Sequence, residues 1–338
     1  MKSQVSPDRN TLSTYRVRPA EKATMSLKLK LSACASLFAL CMCSVAPAQT
    51  NPNQLAMDHP GWVQVPGELI RPDCVHEIPN GANVEIANGQ ITGDVTLNGI
   101  VIAHYNTCPE DAISTRRQER TENLDQPRSG NGWVEQAQWD DVNHNVDSLE
   151  SSWIVPTKPS QDGSVLYLFN GIEPSSQNYI LEPTLQYGFN GYFGGNYWTI
   201  ASWLVGTAGV FYSSPETVYP GNRLSGYTEL THASGGILYY EVVLEDTTTR
   251  AYTVLEVQSS GLRWSWAYGA VLEAYHITSC AQFPPDHEDA FSDIDVYQGP
   301  PGYVLTHPEW QGVIDGYGGP SCGFAVDIKF ESNVALHY

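Results

Sequence analysis

From Gly132 onward the chain is written in short runs of alternating apolar and polar residues, each closed by Gly, Pro, Ser or Asn. The runs are Gly132–Trp139, Ser148–Val155, Ser164–Asn170, Ile180–Phe189, Tyr197–Leu204, Val210–Ser213, Arg223–Leu230, Ile237–Glu245, Ala251–Gln258, Gly269–Tyr275 and Gly323–Phe330. Val, Ile, Tyr, Trp and Thr dominate them, and such branched or aromatic side chains pack well on a pleated surface. Leu224–Leu230 and Ala251–Val257 keep the two-residue period of strands with one wet face. No long run has a helical period. The pattern therefore predicts an all-β fold, a sandwich or a barrel.

Upstream, Asn83–Ala87, Gln90–Thr96 and Gly99–His104 alternate in the same way, with Asn-Gly pairs at 80–81, 88–89 and 98–99. Asn-Gly tolerates the positive φ of tight hairpin turns, so 49–108 reads as a small β-rich module. The segment 109–132 lacks apolar periodicity and is rich in charge, Pro and Gly, which predicts a linker. The main β domain is then 133–338.

The first residues have a different character. Lys28 and Lys30 precede an apolar run from Leu31 to Val45, which ends in Ala46-Pro47-Ala48. That order predicts a secretory signal peptide over 1–48, its start at Met1 or Met25. The apolar run falls short of the roughly 20 residues of a membrane span. Seven of the 17 basic and two of the 37 acidic side chains lie in 1–48, so the remainder carries 10 against 35, a net of −25. Such a surface repels phosphate backbones, which argues against a nucleic-acid partner. Outside 1–48 four cysteines remain, Cys74, Cys108, Cys280 and Cys322, an even number suited to an oxidising, extracellular or periplasmic compartment. Of three pairings, the sequence-local one, Cys74–Cys108 with Cys280–Cys322, respects the division between module and main domain.

Two segments bring chemistry into this pattern. In Ile180-Leu-Glu182-Pro-Thr-Leu-Gln186-Tyr-Gly188, alternation puts Glu182 and Gln186 on one face with Ile180, Thr184 and Gly188. In Gly269-Ala-Val-Leu-Glu273-Ala-Tyr275 a carboxylate is embedded in an apolar run. A carboxylate buried in a sandwich costs several kcal/mol unless it meets a partner or lines a cleft. Each taken alone is more often an outward-pointing strand residue. Two carboxylates sharing a site do not ionise easily together, so one keeps its proton to higher pH. Such a pair can activate water and protonate a substrate in one step.

The order of segments resembles the glutamic peptidases, both the acid-active eqolisins and the neprosin type. Trp133, Trp153-Ile-Val-Pro156, Leu168-Phe-Asn-Gly-Ile-Glu173, Ile180-Leu-Glu182, Val218-Tyr-Pro-Gly-Asn222 and Val271-Leu-Glu-Ala-Tyr275 match that family's succession of motifs over about 130–300. The resemblance implies a concanavalin-like antiparallel β-sandwich (jelly roll) and a secreted, acid-active endopeptidase with a polypeptide substrate. Glu273 would be the general base holding water. Protonated Glu182 would donate to the carbonyl oxygen, with Gln186 as a neighbouring amide. Trp198, Trp203 and Tyr187 would line the cleft. Eqolisins carry Gln where this chain has Glu182, so a two-glutamate arrangement is expected. These families are made with pro-regions, which makes 49–108 a candidate pro-module and the Arg116-Arg117-Gln-Glu-Arg120 run a candidate processing site.

Other clusters carry less. Asp140–Asp147 offers oxygen ligands but lacks the glycine and distal Glu of an EF-hand loop. Asp286–Asp289 with Asp293 and Asp295 reads as a solvated acidic turn. Gly319-Pro-Ser321-Cys-Gly323 has the spacing of a nucleophile elbow, but no helical pattern follows it. No cofactor, metal or membrane partner is expected, and a monomer is. Two rival readings share the same features: a glycoside hydrolase, which also pairs carboxylates in a jelly roll, and a non-catalytic carbohydrate-binding sandwich.

Overall fold

A computed structural model describes residues 59–112, 132–206, 208–299, 304–315 and 319–338. The expected signal peptide and the Arg116–Arg120 processing site lie outside the described residues. The N-terminal part holds β1 (Val63–Val65), β2 (Glu68–Ile70), β3 (Val75–Ile78), β4 (Ala82–Ala87), β5 (Gln90–Leu97) and β6 (Ile100–His104). There follow β7 (Trp133–Asp140), β8 (Ser148–Ile154), β9 (Val165–Pro174), β10 (Tyr179–Tyr187), β11 (Trp198–Gly206), β12 (Gly209–Ser213) and β13 (Glu216–Val218). Next come β14 (Arg223–Ser234), β15 (Ile237–Asp246), β16 (Tyr252–Ser260), β17 (Trp264–Tyr275) and β18 (Glu288–Gln298). The last are β19 (Val304–Thr306), β20 (Gln311–Ile314), β21 (Ala325–Phe330) and β22 (Asn333–His337). The described residues contain no α-helix, only three single 3-10 turns.

Two sheets form a sandwich. The first runs β20-β7-β17-β9-β10-β11-β12-β3, with β13 beside β11; the second runs β21-β22-β18-β8-β14-β15-β16-β4-β5-β6, with β19 beside β18. Alternation decides what enters the space between them. On β10, Leu181, Leu185 and Tyr187 join Leu166, Leu168, Trp153, Leu224, Val242 and Leu255 in the inter-sheet core. On β16, Leu255 and Val257 are buried while Glu256 and Gln258 are not. Disulfides link Cys74 to Cys108 and Cys280 to Cys322.

The N-terminal segment is woven into both sheets. β3 pairs in parallel with β12 at one edge, and β4 pairs in parallel with β16 at the edge of the other sheet. The sheets are thus not purely antiparallel. Parallel pairing needs a long connection between partners, which the distance in sequence from β3 to β12 supplies.

The acidic stretch at 286–295 is mostly strand, not turn. Its apolar positions change parity, Phe291 against Ile294 and Val296, and this hides the period. The cause is a bulge between Ser292 and Asp295, with Asp293 at φ 53°. An extra residue in one strand reverses which side chains point inward.

Candidate active site

The outer face of the first sheet carries a second apolar cluster, which includes Trp133, Tyr167, Phe169, Trp203, Val271 and Tyr275. The β1–β2 hairpin packs on it through Val63, Val65 and Ile70. Glu182 and Glu273 lie in this face, both 0% exposed, as does buried Gln186. Glu182 belongs to β10 and Glu273 to β17, with β9 between them. Glu273 is level with Tyr167, and so is Gln186 from the other side. Glu182 is displaced toward Gly171. A Cβ on Gly171 would stand 3.4 Å from that of Glu182 and 2.9 Å from the Leu181 carbonyl oxygen. Pro183 follows in the middle of the sheet and brings no N–H to the ladder.

Glu273 Oε2 accepts from the Gly67 N–H at 2.8 Å and from the Tyr275 hydroxyl at 3.1 Å. The Tyr167 hydroxyl donates to the Gln64 carbonyl at 2.7 Å. Burial pushes the Tyr167 phenol well above its usual range; a hydrogen bond with Asn190 works against this, and the charges of Glu273 and Glu182 reinforce it. Tyr275 is raised in the same way, first by burial and then by Glu273, with Tyr167 and Glu182 contributing. Both carboxylates therefore act on the same two phenols. They were found in the sequence as lone acids in apolar strands; the fold brings them onto one face of one sheet.

Gln186 is tied to the adjoining loop. Its Nε2 donates to Gly188 and Phe193 carbonyls at 3.0 and 3.2 Å, and its Oε1 accepts from Asn190 Nδ2 at 3.2 Å. The loop turns through Gly188, Gly191 and Gly194, all at positive φ, a backbone that glycine adopts without steric cost. Trp203 stands opposite Glu182 on β11. Its ring stacks 4.8 Å from Tyr212 and 5.8 Å from Phe193.

Tyr187 and Trp198 are not cleft residues. They meet each other, ring centroids 5.2 Å apart, inside the inter-sheet core. The reason is parity: Tyr187 is five positions from Glu182, and an odd separation on a strand reverses the face. One further buried acid on the outer face was not a candidate in the sequence. Glu173 is 0% exposed, and its Oε2 accepts from the Tyr268 hydroxyl at 2.8 Å. It shares parity with Tyr167 and Phe169 on β9, so counting by twos from Tyr167 would have found it.

Among the described residues no group of three or more His, Cys, Asp or Glu side chains is arranged to hold a metal ion. No helix among them is long and apolar enough to cross a membrane. No family model matches the chain, and no curated protein matches it. Solved structures align with part of the chain. A crystal structure of Scytalido-glutamic peptidase with a transition state analog inhibitor aligns with 61% of this chain and 98% of its own, at 15% identity and a TM-score of 0.42. SCP-B, a member of the Eqolisin family in complex with the tripeptide Ala-Ile-His, aligns over the same shares at 16% identity and a TM-score of 0.41. Aspergilloglutamic peptidase from Aspergillus niger aligns with 52% of this chain and 98% of its own, at 14% identity and a TM-score of 0.36.

Proposed function

We propose that the chain is an exported, acid-active endopeptidase of the glutamic type, with Glu273 as base and Glu182 as acid. The observation that carries this reading is the burial of two glutamates, remote in sequence, on one sheet face where both act on Tyr167 and Tyr275. Glu273 accepts hydrogen bonds from Gly67 and Tyr275, and such donors favour the charged form. We assign the retained proton to Glu182, which is fully buried beside Gly171 and opposite Trp203.

The reaction balances on these two groups. Water adds to the peptide carbonyl carbon as Glu273 takes its proton, while Glu182 donates a hydrogen bond to the carbonyl oxygen as it gains negative charge and keeps its own proton. Collapse breaks the C–N bond, and the proton held by Glu273 passes to the leaving nitrogen. A carboxylic acid and an amine result. The mechanism requires Glu182 protonated and Glu273 ionised, so turnover falls as pH rises through the upper of the pair's two macroscopic pKa values.

Casein digestion across acidic pH, with pepstatin, chelators and serine reagents present, tests the activity. Glu273→Gln should abolish turnover in a folded protein. Glu182→Gln keeps a donor that does not titrate and should flatten the alkaline limb, while Glu182→Leu removes the donor and with it turnover. Activity of Glu273→Gln at wild-type level would defeat the assignment. Hydrolysis of glycans and not of proteins would transfer the site to a glycoside hydrolase.

A further inference from the structure

The β1–β2 hairpin meets the site with its main chain as well as its side chains. Gln64, extended within β1, donates its N–H to the Asn190 carbonyl at 2.9 Å and receives the Tyr167 hydroxyl on its own carbonyl at 2.7 Å. Val63 and Val65, on either side, enter the apolar cluster of the sheet face. The turn then presents the Gly67 N–H to Glu273 at 2.8 Å. An N–H and a C=O of one residue are both claimed, and the next turn ends on the base. None of these contacts needs the side chain of Gln64, whose amide turns back on its own hairpin, donating to the carbonyls of Val65 and Glu68.

Resting on the peptidase reading, we infer that the Asn190 carbonyl and the Tyr167 hydroxyl form a main-chain clamp for an extended polypeptide substrate, and that β1 occupies it here. The clamp reads no side chain, so it selects for extended backbone; apolar side chains flanking the clamped residue fill the places of Val63 and Val65. A substrate can be held only after the hairpin leaves. Tyr167 and Asn190 are thus positioning residues for substrate and seat for the hairpin at once. The loop carrying Asn190 holds the hairpin from the other side, where a Cβ on Gly191 would stand 2.5 Å from Val63 and the Tyr192 hydroxyl donates to the Pro72 carbonyl.

This double role predicts opposite effects of one substitution. Tyr167→Phe loosens the hairpin in the intact chain, so basal peptide hydrolysis rises. In a chain opened by Gly67→Pro, which removes the N–H to Glu273 and disfavours the positive φ of the turn, Tyr167→Phe instead raises KM. One hydrogen bond corresponds to about five- to tenfold in each direction. Wild type should be at least about tenfold less active than Gly67→Pro, the margin of a hydrogen bond to a charged group such as the Glu273 carboxylate. Equal activity of the two intact chains, or a KM unmoved by Tyr167→Phe, overturns the clamp. A second readout needs no catalysis: a synthetic peptide of residues 62–70 should bind the folded Gly67→Pro chain, and more weakly once Tyr167→Phe is added. Failure to bind overturns the clamp. Binding without hydrolysis of any peptide keeps the clamp and defeats the peptidase reading.

Discussion

Gly171 sets the spacing at the residue scale. Any side chain there meets the Leu181 carbonyl at 2.9 Å and crowds the Cβ of Glu182. A rigid backbone neighbour cannot swing away, so Gly171→Ala must move β10, at a cost of roughly 1–3 kcal/mol by analogy with overpacked cores. The displaced element carries Glu182. Urea unfolding should show the loss, and turnover at saturating peptide should fall more than that loss of stability explains. Unchanged kcat would mean that Glu182 does not depend on this approach. Single residues also differ in how visible they were in the sequence. Glu182 and Glu273 stood out because a carboxylate among strand apolar residues demands a reason. Glu173 did not, since it closes a run whose preceding residues are ordinary. Tyr187 and Trp198 were drawn to the cleft by their chemistry, although their parity already assigned them to the core.

Elements were legible wherever alternation was unbroken. β10, β14, β15 and β16 lie within a few residues of their expected bounds, because each has one face on the inter-sheet core. β18 was lost to its bulge, and β1 to β3 are too short to show a period at all. What covers the glutamates was therefore invisible in the sequence, since a three-residue strand announces itself only by what it touches. The disulfides also act at this scale. Cys280 and Cys322 lie 42 positions apart, and the loop they close includes β18, β19 and β20. Closing a loop of that size restricts the unfolded chain and stabilises by about 3–4 kcal/mol. Cys280→Ser with Cys322→Ser should lower the urea midpoint accordingly while leaving KM for peptide unchanged, since neither cysteine belongs to the proposed clamp. A midpoint equal to wild type would show that the bond constrains nothing the fold does not already fix.

Across the whole molecule, the two sheets are joined near the C-terminus by groups that titrate. Glu135 on β7 accepts from the backbone N–H groups of Ala325 and His337, on β21 and β22 of the other sheet, at 3.2 and 3.0 Å. Burial pushes its carboxyl up to about 8, against the pull of those two donors. Asp289 on β18 accepts from the Tyr338 hydroxyl at 2.7 Å, and burial raises it to about 7. A carboxyl that holds its proton more tightly when folded stabilises the fold fully below its unfolded pKa, about 4. That contribution is lost as pH rises through the folded values near 7 and 8. Asp246 works the other way. Burial alone would raise it, but hydrogen bonds from Thr249, Thr248 and Asn222 hold it below its usual value, so its contribution disappears in stronger acid. Stability should therefore peak in mild acid, and the net charge of −25 outside 1–48 steepens the decline toward neutrality through self-repulsion. Thermal denaturation at pH 4 and pH 8 should show a higher midpoint at pH 4. Glu135→Gln should recover part of the difference at pH 8, on the order of a few kcal/mol, because its amide does not ionise. A midpoint that is flat or rises from pH 4 to pH 8 would contradict the assignment.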